Sequence, residues 1–246
     1  MITWSYGGGI QTVGMAAMII KGILPPPDLI VLSDTGREVQ STFDYLDKII
    51  QPALKEIGLQ VEIVNKSDYA TVDLWRNDDM LLPVFTGNGN GKLPTFCSNE
   101  WKQRVIRRYL KDIGVEDTDL WLGISTDEAE RMKDSGLKWL RHQYPLIELV
   151  PTNRDGCYQH ALDMGWPEPN KSRCWMCPNQ SAFDWRRLKR RSNVEFEKAC
   201  QLEQEIQSID DDMYLHRLGI PLAQAVEQSE VQKDMFDNCD SGYCMT

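Results

Sequence analysis

Short apolar runs alternate with longer segments of helical periodicity over the first two thirds of the chain. The runs have the length and the apolar content of buried strands. They predict strands near residues 2–5, 29–33, 60–64 and 119–124, and a further strand at 146–150. The segments with apolar residues three and four apart predict helices near 10–22, 40–57 and 98–112. Such alternation predicts an α/β fold with a doubly wound parallel sheet and right-handed crossovers, whose ligands bind at the carboxyl ends of the strands.

The pattern changes near residue 181, after which helical periodicity continues without further strands. We therefore predict an α/β domain over 1–180 and a helical C-terminal segment over 181–246 that ends in a cysteine-containing tail. No apolar run reaches the roughly 18 residues that a membrane-spanning helix needs. The first residues also lack the basic stretch of a signal peptide. We expect a cytoplasmic protein with no membrane partner.

Three consecutive glycines, Gly7, Gly8 and Gly9, lie between the first strand and the first helix. Glycine lets the backbone approach an anion closely, and a helix N-terminus directs free N–H groups and a positive dipole end at it. The sequence therefore predicts a phosphate- or sulfate-binding loop, with a tight turn that binds no ligand as the alternative. No Lys-Ser or Lys-Thr follows, and the next glycine is Gly14. These features exclude the Walker A and the dinucleotide-binding patterns.

The segment Gly7-Gly8-Gly9-Ile10-Gln11-Thr12 resembles the loop of the PP-loop superfamily, which comprises ATP pyrophosphatases and phosphoadenosine phosphosulfate (PAPS) reductases. In the pyrophosphatase pattern SGGxDS, Gly7 stands at the first Ser and Gln11 stands at the Asp. The run Gly9-Ile10-Gln11 is similar to the reductase branch. Three later segments resemble the family in the same order; they are Asp34-Thr35-Gly36, Cys97 to Lys102, and Gly123 to Arg131.

The resemblance implies an adenine-nucleotide site. Its expected nucleotide contacts are Ser5, Tyr6, Gly7, Gly8, Gly9, Ile10, Gln11, Thr12, Asp34, Thr35, Lys102 and Gly123. Gln11, Asp127, Glu128 and Arg131 are the expected catalytic residues around it. The two carboxylates could hold Mg²⁺ or orient an acceptor, and Arg131 could bind phosphate in a bidentate manner. A turn or cap for Asp34 and a helix cap for Asp127 are the alternatives.

Cys174 and Cys177 form a C-x-x-C pair, a spacing that metal sites and redox pairs share. In the iron–sulfur members of the resembled family, two adjacent cysteines in the earlier segment and a later C-x-x-C bind one [4Fe–4S] cluster. Cys97 matches one of those adjacent cysteines, whereas Phe96 stands in place of the other. We expect Cys157 to supply the missing ligand, with a tail cysteine or an open iron site that holds a sulfur atom as the alternatives. Thiolates alone favour an Fe–S cluster or zinc, and a zinc site or no metal remains an alternative.

Two cysteines, Cys239 and Cys244, lie in the C-terminal tail. Sulfonucleotide reductases use a tail cysteine in Glu-Cys-Gly-x-His as a nucleophile, and this chain lacks that motif around its own pair. The pair is therefore a candidate for a nucleophile, a persulfide relay or a reversible disulfide, with a frayed tail as the alternative.

The net charge of −10 is distributed unevenly. Residues 195–240 hold twelve acidic and three basic residues, which gives −9 for that segment and −1 for the rest of the chain. Arg104, Arg107, Arg108 and Lys111 share one face of a predicted helix. Such a stripe can bind phosphates or a nucleic-acid backbone, or it can simply be a solvated helix face.

Three functions follow from these observations. The first is an enzyme that binds ATP, adenylates an acceptor with release of pyrophosphate, and takes part in Fe–S-dependent sulfur transfer, with a nucleic acid and a sulfur-donor protein as partners. The second is a PAPS or adenosine phosphosulfate reductase. The third is a non-catalytic nucleotide sensor or subunit. We favour the first, although Gln11 departs from the pyrophosphatase pattern.

Overall fold

The computed structural model describes residues 1–69, 72–87 and 91–231, apart from the side chains of 230 and 231. The chain divides into two compact units. The first unit combines Met1–Ala70 with Trp101–Arg173, and the second combines Thr71–Glu100 with Cys174–Thr246.

The regular elements alternate in the first unit and are mostly helical in the second. The strands are β1 (Ile2–Ser5), β2 (Leu29–Asp34), β3 (Val61–Asn65), β4 (Trp75–Arg76), β5 (Asp79–Met80), β6 (Phe85–Thr86), β7 (Thr118–Leu122), β8 (Leu140–Gln143) and β9 (Met213–Tyr214). The α-helices are α1 (Ile10–Ile20), α2 (Gln40–Tyr45), α3 (Gln51–Lys55), α4 (Lys66–Tyr69), α5 (Arg104–Asp112), α6 (Pro145–Glu148), α7 (Arg154–Leu162), α8 (Ala182–Arg191), α9 (Asn193–Gln207) and α10 (Leu222–Val231). Two π-helical segments, Leu46–Ile50 and Asn99–Gln103, and a 3₁₀ segment, Thr126–Arg131, complete them.

The first unit is built on a five-stranded sheet in the order β3-β2-β1-β7-β8. Every neighbouring pair in this sheet is parallel. The chain moves outward from β1 to β2 and β3, and it then returns to the other side of β1 at β7. The predicted doubly wound α/β fold is therefore confirmed, and β1 occupies the centre of the sheet.

Separate apolar clusters cover the two faces of this sheet. On one face, α1, α3 and α7 contribute to a cluster that includes Trp4, Leu54, Trp121 and Ala161. On the other face, α5 supplies Val105, Ile106 and Leu110 to a smaller cluster. Helices on both faces bury a parallel sheet completely, so only the strand ends and the loops that follow them are left to form a site.

The edge strand β8 lies earlier in the chain than the sequence predicts. Residues 146–150 were expected to form a strand, and that prediction is wrong because α6 begins at Pro145. The actual strand, Leu140–Gln143, reads Leu-Arg-His-Gln and has one buried residue, Leu140. A strand at the sheet edge needs few apolar side chains, so hydrophobic patterning did not reveal it.

The second unit contains a helical part and an earlier segment of the chain. The antiparallel pair of β6 and β9 joins Phe85 to Tyr214 and Thr86 to Met213. Lys92 Nζ also donates to Asn179 Oδ1 at 2.8 Å. Both contacts join the segment 71–100 to residues after Cys174 within this unit.

Buried Glu203 fixes the chain that leads into α10. Its two carboxylate oxygens accept from the backbone N–H of Leu215 and of Leu222, at 2.8 Å and 2.6 Å. Burial raises the pKa of Glu203, although these two hydrogen bonds act in the opposite direction. None of the helices that the structure describes is both long enough and apolar enough to cross a membrane.

Candidate functional site

The glycine loop, Gly7–Gly9, connects β1 to α1 and has a conformation that requires glycine. Gly8 has a φ of +71°, in the left-handed region that other residues rarely adopt. A Cβ atom at Gly8 would also lie 2.4 Å from Thr42 Cγ2. The loop therefore excludes any side chain at this position and holds its backbone close to the start of α1.

The N-terminus of α1 is open to a ligand. Gly9 is its N-cap, no side chain makes a capping hydrogen bond to this helix, and its first turn has no acidic residue. Thr12 Oγ1 donates to the Gly9 carbonyl at 3.0 Å, which fixes the first turn. The N–H groups of that turn and the positive end of the helix dipole are thus available to an anion.

The loop lies where the direction of the sheet changes. Because the chain leaves β1 toward β2 and returns at β7, the connections after β1 and β7 diverge and open a crevice. Gly123 follows β7 at this crevice, and a Cβ atom there would lie 2.7 Å from Thr12 Cγ2. The structure therefore places Gly123 beside the glycine loop. In open α/β sheets, ligands bind at this type of position.

Gln11, Glu128 and Arg131 form a polar chain across the crevice. Gln11 Nε2 donates to Glu128 Oε2 at 3.0 Å and lies 3.5 Å from Ser125 Oγ. Arg131 Nη1 donates to the same Glu128 oxygen at 2.8 Å. Gln11 is 8% exposed, whereas the side chains of Glu128 and Arg131 are 13% and 48% exposed. The neutral amide and the guanidinium together hold a nearly buried carboxylate, and the guanidinium still reaches solvent.

Asp127 caps the helix α7 instead of pointing at the polar group formed by Gln11, Glu128 and Arg131. Its Oδ1 accepts from the backbone N–H of Arg154, the first residue of α7, at 3.0 Å. Burial alone would raise the pKa of Asp127, but hydrogen bonds from Ser125 and from the N–H groups of Asp127 and Arg154 outweigh it, so the pKa lies below its usual value. This contact agrees with the capping alternative for Asp127.

The turn after β2 uses its polar side chains internally. Asp34 Oδ1 accepts from the Gly36 N–H at 2.7 Å, and Thr35 Oγ1 accepts from the Arg37 N–H at 3.2 Å. Thr35 is only 1% exposed. One oxygen of Asp34 therefore closes the turn, and the other is left for the nucleotide contact that the sequence predicts.

Tyr6 and Ser5 lead into the loop from β1. The Tyr6 side chain is 2% exposed and meets Trp4 edge-to-face, with ring centroids 5.4 Å apart. Its N–H donates to the Val31 carbonyl, and burial raises the pKa of its hydroxyl above the usual value. The predicted contact of Tyr6 with a nucleotide therefore does not fit its side chain, whereas half-buried Ser5 remains at the mouth of the loop.

A second polar group beside the loop involves residues that sequence reasoning missed. Glu38 Oε1 accepts from Ser172 Oγ at 2.7 Å, and Lys102 Nζ lies 3.6 Å from Glu38 Oε2. Ser172 Cβ lies 3.7 Å from the position that a Cβ atom would take at Gly8 or at Gly9. Glu38 and Ser172 are 134 residues apart in the chain, so no local spacing could reveal their contact.

Lys102 is held near this group by its neighbour Trp101, which is 1% exposed. The Trp101 carbonyl accepts from Ser33 Oγ at 2.7 Å, at the end of β2. Lys66 Nζ lies over the Trp101 ring, 4.4 Å from its centroid. The backbone next to Lys102 is therefore anchored at the carboxyl end of β2, and its contact with a nucleotide stays a prediction.

Cys157 lies in the core of the first unit and does not fit the metal-ligand role that the sequence suggested. It is 0% exposed and packs against α1, where a Cβ atom at Gly14 would lie 2.6 Å from Cys157 Cβ. Burial, followed by the charge of Asp127, raises the pKa of the Cys157 thiol to about 12. Cys157 therefore packs as an apolar core residue of the first unit.

The other three predicted thiol ligands lie in the second unit and are half-buried. Cys177 N–H donates to the Cys174 carbonyl at 3.1 Å, which closes the C-x-x-C turn, and the Cys97 N–H donates to the Leu81 carbonyl at 3.1 Å. Within the described part of the chain, no group of three or more His, Cys, Asp or Glu side chains is arranged to hold a metal ion. Within these residues, Cys97, Cys174 and Cys177 are therefore not gathered around one point. Cys239 and Cys244 lie outside the described residues.

No family model matches the chain, and neither does any curated protein sequence. Among solved structures, the chain is 15% identical to the phosphoadenylyl-sulfate (PAPS) reductase from Candida auris, solved as a phosphate complex, with a TM-score of 0.44 over 68% of this chain and 74% of that one. It is 14% identical to the U34-tRNA thiolase NcsA from Methanococcus maripaludis, solved with its [4Fe–4S] cluster, with a TM-score of 0.46 over 94% of this chain and 70% of that one. At these identities and scores, neither likeness assigns a family or a reaction. A functional assignment must therefore rest on the geometry of the site.

Proposed function

We propose that the first unit binds the phosphates of an adenine nucleotide at the glycine loop, and that it uses ATP to activate an acceptor for sulfur transfer. One observation carries the proposal. Gly7–Gly9 precedes the open N-terminus of α1, at the crevice between the carboxyl ends of β1 and β7. A backbone N–H cradle and a helix dipole at this position favour a phosphate without any charged side chain in the loop.

Two cations stand near enough to add charge. Lys102 and Arg131 are 40% and 48% exposed, and each now contacts a carboxylate, Glu38 or Glu128. A bound triphosphate would attract both side chains away from those partners, because charge-assisted hydrogen bonds to phosphate are among the strong ones. Gln11 acts as a positioning residue, since its amide holds Glu128 in place when Arg131 moves.

The activation step is an in-line displacement at the α-phosphorus of ATP. An oxygen of the acceptor forms a bond to that phosphorus, and the bond from the phosphorus to the bridging oxygen of the β-phosphate breaks. Pyrophosphate leaves with the electron pair, and its negative charge develops beside the N-terminus of α1 and Arg131. Positive groups placed where charge develops lower the barrier of such a transfer.

Sulfur delivery would follow activation and would require a separate sulfur-donor protein. An Fe–S cluster would supply sulfide or hold a sulfur atom if one were bound. Cys97, Cys174 and Cys177 are the described cysteines that would hold it, together with a further ligand. Mg²⁺ would supply positive charge at the phosphates, and Asp127 and Glu128, which now bind the Arg154 N–H and the side chains of Gln11 and Arg131, are the carboxylates that would hold it.

A sulfonucleotide reductase is the second candidate, and Gln11 is the observation that favours it. The pyrophosphatase pattern has Asp where this chain has an amide that donates to Glu128. With PAPS in place of ATP, the same loop would bind the sulfate or the phosphate groups.

Product analysis tests the proposal. Anaerobically purified protein would be incubated with ATP, and separately with PAPS and a dithiol reductant, and the products would be identified by ion-exchange chromatography. Release of pyrophosphate from ATP, with free AMP formed when water takes the place of the acceptor, would support the proposal, and sulfite from PAPS would replace it by the reductase. Tight binding of either nucleotide without turnover would instead indicate a nucleotide-binding subunit. Binding of neither nucleotide would show that the loop has been misassigned.

A further inference from the structure

The first unit has a second phosphate-compatible surface on α5, which the proposed function does not use. We call it the α5 groove. It is lined by four basic residues, one acidic residue and three others; they are Arg104, Arg107, Arg108, Lys111, Asp112, Tyr69, Leu137 and Trp139. Its volume is about 590 Å³. Four positive charges against one negative charge give the lining a net charge of +3, in contrast with the net charge of −10 of the whole chain.

The cations of the groove follow the helix at regular spacing. Arg104, Arg107, Arg108 and Lys111 stand at positions i, i+3, i+4 and i+7 of α5 and therefore share one face. With a rise of about 1.5 Å per residue, the stripe is about 10 Å long. Because Arg and Lys side chains are long and flexible, we expect the four cations of the stripe to contact about three phosphates of a bound strand.

Neutral groups hold three of these cations in place. Arg107 Nη2 lies 3.4 Å from Gln103 Oε1, Lys111 Nζ donates to the Val115 carbonyl at 3.3 Å, and Arg108 donates to the Tyr69 carbonyl. None of these acceptors carries a negative charge, so the contacts orient the side chains without neutralising them. Burial and the neighbouring charge of Arg104 lower the pKa of Arg107, as expected where positive charges lie close together.

Aromatic rings stand beside the cations. Lys111 Nζ lies over the Trp139 ring, 3.8 Å from its centroid. Tyr69 meets Tyr109 edge-to-face at 6.0 Å, and its hydroxyl donates at 2.9 Å to Asp112. Half-buried Trp139 provides a flat apolar face next to the charges. Proteins that bind single-stranded nucleic acids combine a basic groove with such faces, on which bases stack.

We propose that the α5 groove binds the phosphodiester backbone of a single-stranded nucleic acid. The stripe of cations would track about three successive phosphates, and Trp139 would stack on a base once Lys111 turned from its ring to a phosphate. The binding itself stands independently of the glycine loop. The bound strand could also be the acceptor that ATP activates, and this second step rests on the proposed function.

Fluorescence anisotropy tests the proposal without ATP. The full-length protein would be titrated into labelled single-stranded RNA and DNA oligonucleotides of about a dozen nucleotides, at several salt concentrations. With about three phosphate contacts, the logarithm of the affinity should fall with the logarithm of salt at a slope near −2. Arg107→Gln/Lys111→Gln should weaken binding at least about tenfold and reduce the steepness of the slope by about 1.4.

A matched control removes the same charge elsewhere. Arg190 and Lys198 are exposed residues of α8 and α9, and Arg190→Gln/Lys198→Gln should leave the affinity within about twofold of the wild type. Melting temperatures of both double variants would show that they remain folded. Pyrophosphate, the probe for a small-phosphate site, should not displace the oligonucleotide when the two are present at equal phosphate concentration.

Four results would overturn the proposal: no measurable binding by the wild type, equal affinity for the groove variant, equal weakening by the control variant, or displacement by pyrophosphate at equal phosphate concentration. The last would make the groove a site for a small phosphate compound. Because no nucleotide triphosphate is present, failure of this experiment leaves the ATP product assay intact, and failure of that assay leaves binding in the groove intact.

Discussion

The helices α1 and α5 cover opposite faces of the same sheet, and they offer a phosphate two different kinds of partner. Helix α1 has no charged residue, and nine of its eleven residues are buried. Helix α5 has four basic side chains and three buried residues. At α1 the attraction comes from backbone N–H groups of fixed direction, whereas at α5 it comes from long side chains in contact with solvent.

This difference determines which property limits phosphate binding at each site. A backbone cradle depends on the position of every N–H group, so a small displacement of Gly8 should remove binding. A basic groove depends on the number of charges and tolerates displacement, but salt weakens it steeply. The first arrangement suits recognition of one small ligand, and the second suits a polymer whose phosphates repeat. The predictions below separate the two, from the largest expected effect to the smallest.

The packing of Cys157 against α1 predicts that its thiol reacts very slowly. With a pKa of about 12 instead of 9.0, Cys157 should be thiolate in a fraction roughly a thousandfold smaller than an ordinary cysteine at pH 8. We expect almost no alkylation of Cys157 by iodoacetamide in the native protein, measured by peptide mass spectrometry over time. The urea-unfolded protein is the control, and there Cys157 should react normally. Equal rates in the two states would show that α1 and α7 are not packed as described.

The glycine loop predicts a large loss of nucleotide binding on Gly8→Ala. The added methyl would lie 2.4 Å from Thr42 Cγ2 at a φ of +71°, so the loop must move and its N–H groups lose their alignment. We expect ATP affinity to fall by about 100-fold in titration calorimetry, because charge-assisted bonds need good geometry. Gly22→Ala is the control, since Gly22 has the same φ and nothing within 4 Å of its Cβ position. An equal loss in both variants would indicate a general backbone effect.

The salt dependence of the binding affinity should distinguish the α5 groove from the glycine loop. Between 50 and 200 mM salt, oligonucleotide affinity at the α5 groove should fall about 20-fold, on the basis of three phosphate contacts. ATP affinity should fall by a smaller factor, because the N–H groups of the loop release no counterions. Both affinities can be measured on one preparation. If ATP binding proved the more salt-dependent, side-chain cations rather than the loop would dominate the nucleotide site.

Replacement of Arg131 should have a smaller effect, which appears in the turnover of ATP. It is half-exposed and donates to Glu128, and loss of one charge-assisted contact to phosphate should lower kcat/KM for ATP about tenfold in Arg131→Ala. Arg141→Ala is a matched control, because Arg141 is 47% exposed and also pairs with carboxylates. Its activity should stay near that of the wild type. Parallel losses of activity and of melting temperature in Arg131→Ala would mean that Arg131 only supports the fold.

The sequence predicted the features that depend on local patterning. Four of the five strands of the sheet and the loop at Gly7–Gly9 follow from apolar runs and from glycine chemistry, and the structure has them where they were expected. The polar edge strand Leu140–Gln143 was missed because it has little hydrophobic pattern. The contact between Glu38 and Ser172 depends on how distant segments fold together.

The cysteines show a further limit. Spacing and family resemblance suggested Cys157 as a ligand, but neither carries information about burial. Gly14 could have supplied a hint, since a glycine inside a helix often marks a close approach of another helix. In the structure, that approach is made by α7 at Cys157.

A crystal structure with a non-hydrolysable ATP analogue would test the central claim most directly. The account predicts phosphate oxygens at about 3 Å from the backbone nitrogens of the glycine loop and the first turn of α1, with Lys102 or Arg131 turned toward them. Phosphates bound in the α5 groove, with the glycine loop empty at saturating analogue, would contradict the account.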